Sequence, residues 1–126
     1  MSSIKNAINW FEIPVKDFTR AKKFYETVMD SEITEMEFGG MTHGMFPCDM
    51  PQGGIGGAIV KGDGFIPSQT GSTVYLNAGD DLSAHLSKVE KAGGKITLPK
   101  TSIGVHGNIA LFIDTEGNKI AFHSQN

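Results

Sequence analysis

Few side chains in this sequence can move protons or grip a ligand. There are four histidines, one cysteine, and a carboxylate, Glu12, set inside the apolar stretch Ile8 to Pro14. That stretch reads as a strand, and strand alternation puts Glu12 on the same face as Trp10. The same parity groups Thr73, Tyr75 and Asn77 on one strand, Ala121 and His123 on another, and Ala58 and Val60 on a third. A carboxylate on an inward strand face is costly unless it is paired or hydrated. Glu12 therefore reads either as a general base or ligand-gripping group, or as a structural carboxylate bonded to Trp10, Tyr75 or backbone or solvated at a barrel mouth. His123 reads either as its acid–base partner or as an exposed residue near the C-terminus.

The remaining chemistry is weaker. His43 is expected at a surface or edge, His85 falls off the apolar stripe of its helix and is expected in solvent, and His106 reads as a loop histidine. Glu12, His43 and His123 together make an improvised metal site conceivable, although nothing in their spacing requires them to meet. Cys48 has no Lys or Arg close in sequence to lower its pKa, and it is not read as catalytic. The glycine run Gly53 to Gly57 leads into a strand instead of a helix, so it is no phosphate loop. It reads as a closely packed strand that leaves room for a ligand. Met36, Met41, Met45 and Met50 cluster in the first half, as packing of an irregular sheet or as adaptable pocket lining.

The elements that must position these groups occur twice. Strand Ile8 to Pro14 is followed by a helix capped by Asp17, with apolar positions Phe18, Ala21, Phe24, Tyr25 and Val28, and broken at Asp30-Ser31. Strands follow at Ile33 to Phe38, Met41 to Phe46 and Gly54 to Lys61. After the turn-rich linker 63–71, Thr73 to Asn77 is a strand. Asp80-Asp81 then starts a helix with the stripe Leu82, Leu86, Val89 and Ala92, ended by Gly93-Gly94. Strands Lys95 to Leu98, Gly107 to Ile113 and Lys119 to Ser124 complete the second copy. Each half, about 6–62 and 72–124, reads β-α-β-β-β, and 1–126 reads as a single domain.

Composition supports this. The chain has 126 residues, 39% hydrophobic and 20% charged, with a formal charge of −3. That suits a globular core and argues against a nucleic-acid binder, which needs clustered Lys and Arg. The apolar runs are too short for a membrane span, no secretory leader is evident, and one cysteine cannot form an internal disulfide. A soluble, cytoplasmic protein is expected.

Phe11-Glu12-Ile13-Pro14-Val15-Lys16-Asp17 with Ala21, Phe24 and Tyr25 resembles the opening of the vicinal oxygen chelate superfamily, which includes glyoxalase I, bleomycin-resistance proteins and extradiol dioxygenases. Tyr75-Leu76-Asn77, Val89 to Lys95 and Asp114 to Asn118 resemble it too, over nearly the whole chain, closest to the branch related to lactoylglutathione lyase. The resemblance implies an α+β fold in which two βαβββ modules form a curved eight-stranded mixed sheet around a cleft, and a homodimer. It also implies a divalent metal held by His and Glu from the first, fourth, fifth and eighth strands. Those positions fall here on Trp10, Ala58 (within Gly57 to Ile59), Thr73 or Val74, and Ala121. None binds a metal as imidazole or carboxylate would, so neither metal nor cofactor is expected. With the family geometry, Trp10, Glu12, Thr73, Tyr75, Asn77 and His123 converge on one pocket beside Ala58 and Ala121. The expected function is a metal-independent lyase or isomerase acting on a small organic molecule, with Glu12 and His123 handling protons. The alternative is a sequestering protein of bleomycin-resistance type, and metal-dependent lactoylglutathione lyase is the least favoured.

Overall fold

A computed structural model describes residues 5–126. The first half runs β1 (Trp10–Pro14), α1 (Phe18–Met29), β2 (Thr34–Phe38), β3 (Met41–Met45) and β4 (Gly56–Lys61). The second runs β5 (Val74–Asn77), α2 (Ser83–Leu86), β6 (Lys95–Ser102), β7 (Asn108–Ile113) and β8 (Lys119–Ser124). The expected βαβββ order thus appears twice in an α+β fold. The eight strands divide into two four-stranded mixed sheets, ordered β1-β4-β3-β2 and β5-β8-β7-β6. Each has one parallel pair, β1 with β4 and β5 with β8, and β1 and β5 are sheet edges that do not bond to each other.

The Asp17 carboxylate caps α1 by accepting from Arg20 N at 3.0 Å, and Ala21, Phe24, Tyr25 and Val28 form its buried stripe. The helix stops where Asp30 takes a left-handed conformation (φ 50°) and its N–H donates to Glu26 O. The second helix is shorter than its sequence pattern suggests. After Leu86 the chain tightens to three-residue bonds, Lys88 N to His85 O (3.1 Å) and Val89 N to Leu86 O (3.2 Å). Leu82 and Val89 are nonetheless fully buried, so the apolar spacing meets its purpose without a long helix.

α1 serves both sheets. Tyr25 meets Phe46 of the first half edge-on at 5.6 Å between ring centroids, and Phe24 meets Phe112 of the second at 6.0 Å. Ile13 and Ile59 from one sheet join Leu76, Ala110, Phe112, Ile120 and Phe122 from the other in a single core. Burial stabilises each such large side chain by about 1.5–3 kcal/mol. Gly57 belongs to this packing, because a Cβ there would strike the Phe11 ring.

A polar knot ties the halves together. The turn between β7 and β8 places Asp114, Glu116 and Asn118 against β1 and α1, all three nearly buried. Tyr25 Oη donates to Asp114 Oδ2 at 2.6 Å, Asn118 Nδ2 donates to Pro14 O at 2.7 Å, and Glu116 Oε1 accepts from Lys16 N (2.9 Å) and Asp17 N (2.8 Å). The carboxylate thus supplies acceptors to free amides at the start of α1.

Candidate functional site

Opposite the face packed on α1, the first sheet has a second face that is open at Glu12, Met36 and Phe38 and closed over Ala58 and Val60. Strand register sets Trp10 beside Gly56, Glu12 beside Ala58, Ala58 beside Met45, and His43 between Val60 and Met36. The Trp10 indole packs over Gly56, where a Cβ would lie 3.3 Å from its ring. Trp10 Nε1 donates to Glu12 Oε2 at 3.3 Å, and His43 Nε2 stands 3.8 Å from the same oxygen. The Glu12 side chain keeps 33% of its exposure while that of His43 keeps 2%.

His43 was expected at a surface or edge, and the structure corrects this. Phe38, on the edge strand β2, stacks on the imidazole at 3.8 Å with an interplanar angle of 13° and covers it. His43 Nδ1 lies 3.3 Å from Met41 O. A carbonyl only accepts, so this contact places a hydrogen on Nδ1 and leaves Nε2 facing Glu12. The sequence held a usable signal. Gly39 and Gly40, both at positive φ (64° and 74°), form a two-residue hairpin turn, which sets Met36 opposite His43.

The other expected residues lie on the second sheet. Tyr75 is beside Ala121 and Asn77 beside His123 on its open face, and Thr73 immediately precedes β5. Thr73, Tyr75 and Asn77 line a cleft of about 710 Å³ with Ile8, Phe11 and Ile55. The His123 ring donates from Nε2 to His106 O at 2.6 Å. His85 differs from expectation: it is half-buried, its Nδ1 is 2.7 Å from Val28 O, and its ring packs on Phe122. Cys48 is free and exposed. The expected set therefore forms two groups, Trp10, Glu12 and Ala58 on one sheet and Thr73, Tyr75, Asn77, Ala121 and His123 at the other. Among the described residues no hydrogen bond or ion pair joins Glu12 to His123.

The positions that the resemblance assigns to metal ligands hold an indole, which only donates, two alanine methyls and a threonine hydroxyl, or a valine in its place. This is not a donor set that suits a divalent cation. Among the described residues, no three His, Cys, Asp or Glu side chains gather to hold a metal ion. No described helix is long and apolar enough to cross a membrane.

The architecture has known counterparts. Glyoxalase I from Zea mays (E144Q mutant) is similar with a TM-score of 0.67 and 19% identity, covering 93% of this chain and 46% of that one. The chain thus spans about half the length of the maize enzyme. The fosfomycin resistance protein FosX from Listeria monocytogenes gives 0.65 at 14% identity, over 98% of this chain and 94% of that one. A glyoxalase/bleomycin resistance protein from Albidiferax ferrireducens T118 gives 0.69 at 18%, over 96% and 100%. At these identities the likeness is one of fold. No curated protein matches the chain by sequence. A family model, however, matches residues 7–122, and by that match the chain belongs to the Glyoxalase/Bleomycin resistance protein/Dioxygenase superfamily.

Proposed function

We propose that the protein binds a small organic molecule on the open face of β1–β4 and acts on it as a metal-independent lyase or isomerase, with Glu12 as the proton acceptor. The observation that carries this reading is the grouping of Trp10, Glu12 and His43 on an otherwise apolar face, with Glu12 Oε2 at 3.3 and 3.8 Å from the two ring nitrogens. Trp10 orients the carboxylate. Ala58, beside Glu12 in register, is itself covered and contributes only a methyl to the floor beneath the carboxylate. A proton taken up by Glu12 passes on to His43 Nε2, 3.8 Å away. His43 thus takes the partner role that the sequence offered to His123, whose own ring is committed to His106 O.

Thr73, Tyr75, Asn77, Ala121 and His123 supply a second wall when a second copy of the chain brings its second sheet against this face. The free edges of β1 and β5 and the exposed Ile8, Met36, Phe38 and Tyr75 support such a homodimer. A cytoplasmic setting fits the unpaired Cys48. The second reading is sequestration in the manner of bleomycin-resistance proteins, favoured by the aromatic surface of Trp10 and Tyr75, which needs no proton transfer.

Glu12→Gln separates the two readings. For an enzyme, the variant loses turnover at saturating ligand by about 100-fold or more. Turnover unchanged in the variant rules out Glu12 as the base, and tight binding without turnover in the wild type establishes sequestration.

A further inference from the structure

We infer that the ligand of the open face is an apolar, ring-bearing molecule that carries an amine or ammonium N–H, and not an anion. This rests on the reading of that face as the binding site and adds the class of molecule it selects.

The first observation concerns hydrogens. Glu12 receives one long hydrogen bond, from Trp10 at 3.3 Å. Its other neighbour, His43 Nε2 at 3.8 Å, is too distant for a hydrogen bond. The carboxylate therefore keeps acceptor capacity that no hydrogen bond among the described residues satisfies, and a third of the side chain is open. A ligand N–H fills that vacancy, whereas a ligand carboxylate or phosphonate meets only another negative charge.

The second observation is that β1–β4 place no lysine or arginine beside Glu12. Along β1–β4 no Lys or Arg alternates onto this face. Lys61 pairs with Thr42 in register and belongs to the opposite side, as do Glu35 and Glu37. Glu12 is the one carboxylate there, so the charge of the face favours a cation and repels an anion.

The third is the surround. The Trp10 indole offers a π-face that favours a nearby ammonium. Met36 and Met45 on the same face are flexible and polarizable, and Phe38 is half exposed. Such walls suit a flat ring and tolerate variation in its outline.

Trp10 is the only tryptophan, and it is hydrogen-bonded to Glu12, so its fluorescence reports directly on this carboxylate. The test titrates wild type and Glu12→Gln with three near-isosteres: phenethylamine, phenethyl alcohol and phenylacetate. Circular dichroism confirms that the variant is folded. The expected result is saturable binding of the amine at least about tenfold tighter than phenylacetate, with that preference lost in Glu12→Gln. Equal binding of all three, or a preference that survives in the variant, overturns the inference and leaves the site in place. A Trp10 signal that responds to none of the three overturns the site reading itself, and the inference with it.

Discussion

Arg20 grips Glu116 with two hydrogen bonds, Nε to Oε2 at 2.7 Å and Nη2 to Oε1 at 3.0 Å, across 96 residues of chain. The Glu116 side chain is fully covered, while that of Arg20 is half exposed. Burial pushes the carboxylate upward, but Arg20, the Asp17 and Lys16 amides and the Thr115 hydroxyl outweigh it and hold its pKa at about 2, below the ordinary 4.5. A depressed folded-state pKa gives stability that is complete above about pH 4.5 and is lost as the pH falls toward 2. Urea midpoints between pH 2 and 7 are therefore expected to fall on the acid side in wild type and to fall less in Glu116→Gln. Parallel curves for the two proteins would rule out Glu116 as the source.

Tyr25→Phe removes the donor from the 2.6 Å bond to Asp114 in a fully buried place. Asp114 keeps Asn118 Nδ2 and the amides of Glu116 and Asn118. The expected loss is thus limited to about 1–2 kcal/mol in denaturant unfolding. Burial first, and then Asp114, also push the Tyr25 phenol well above its ordinary pKa of 10. In an ultraviolet titration the Tyr25 phenol is therefore expected to stay protonated well past pH 10 while the protein remains folded.

Gly57→Ala drives a methyl into the Phe11 ring, in the interior between β1 and β4. Overpacking of this kind costs about 1–3 kcal/mol. The companion variant Gly57→Ala with Phe11→Leu is expected to recover part of it, and a full loss retained in the double variant would show that the clash lies elsewhere.

The donor set at Trp10, Ala58, Thr73 and Ala121 leads to an expectation about metals. Protein dialysed against nickel, zinc or manganese and then desalted is expected to retain well under one equivalent by elemental analysis. Stoichiometric retention, abolished together in Glu12→Gln and His43→Asn, would instead make those two side chains ligands and end the metal-independent reading.

The repeated βαβββ order was legible because it depends on local rules: the Asp17 cap, the Ala21-Phe24-Tyr25-Val28 stripe, and glycine punctuation. α2 was overread because spacing of apolar residues does not distinguish a regular helix from a chain of tight turns that buries the same Leu82 and Val89. The position of Glu12 beside Trp10 followed from parity alone. His43 did not, since its burial depends on Phe38 folding over it from a neighbouring strand, a contact that only the hairpin register creates. The Asp114–Asn118 turn could be recognised as a turn, but its grip on Tyr25 and Pro14 joins positions 89 and 104 residues away and leaves no local trace.

That grip also bears on the order in which the molecule is made. During synthesis β1 and α1 emerge from the ribosome long before Glu116, whose bonds reach back 99 and 100 residues to the Asp17 and Lys16 amides. Until then those amides must remain with water, and Phe24 has no Phe112 to pack against. The boundary between the two repeats is therefore a boundary of pattern only. A chain that has not yet made the Asp114–Asn118 turn lacks the acceptor for the amides ahead of its first helix, and assembly of the core waits for the second repeat.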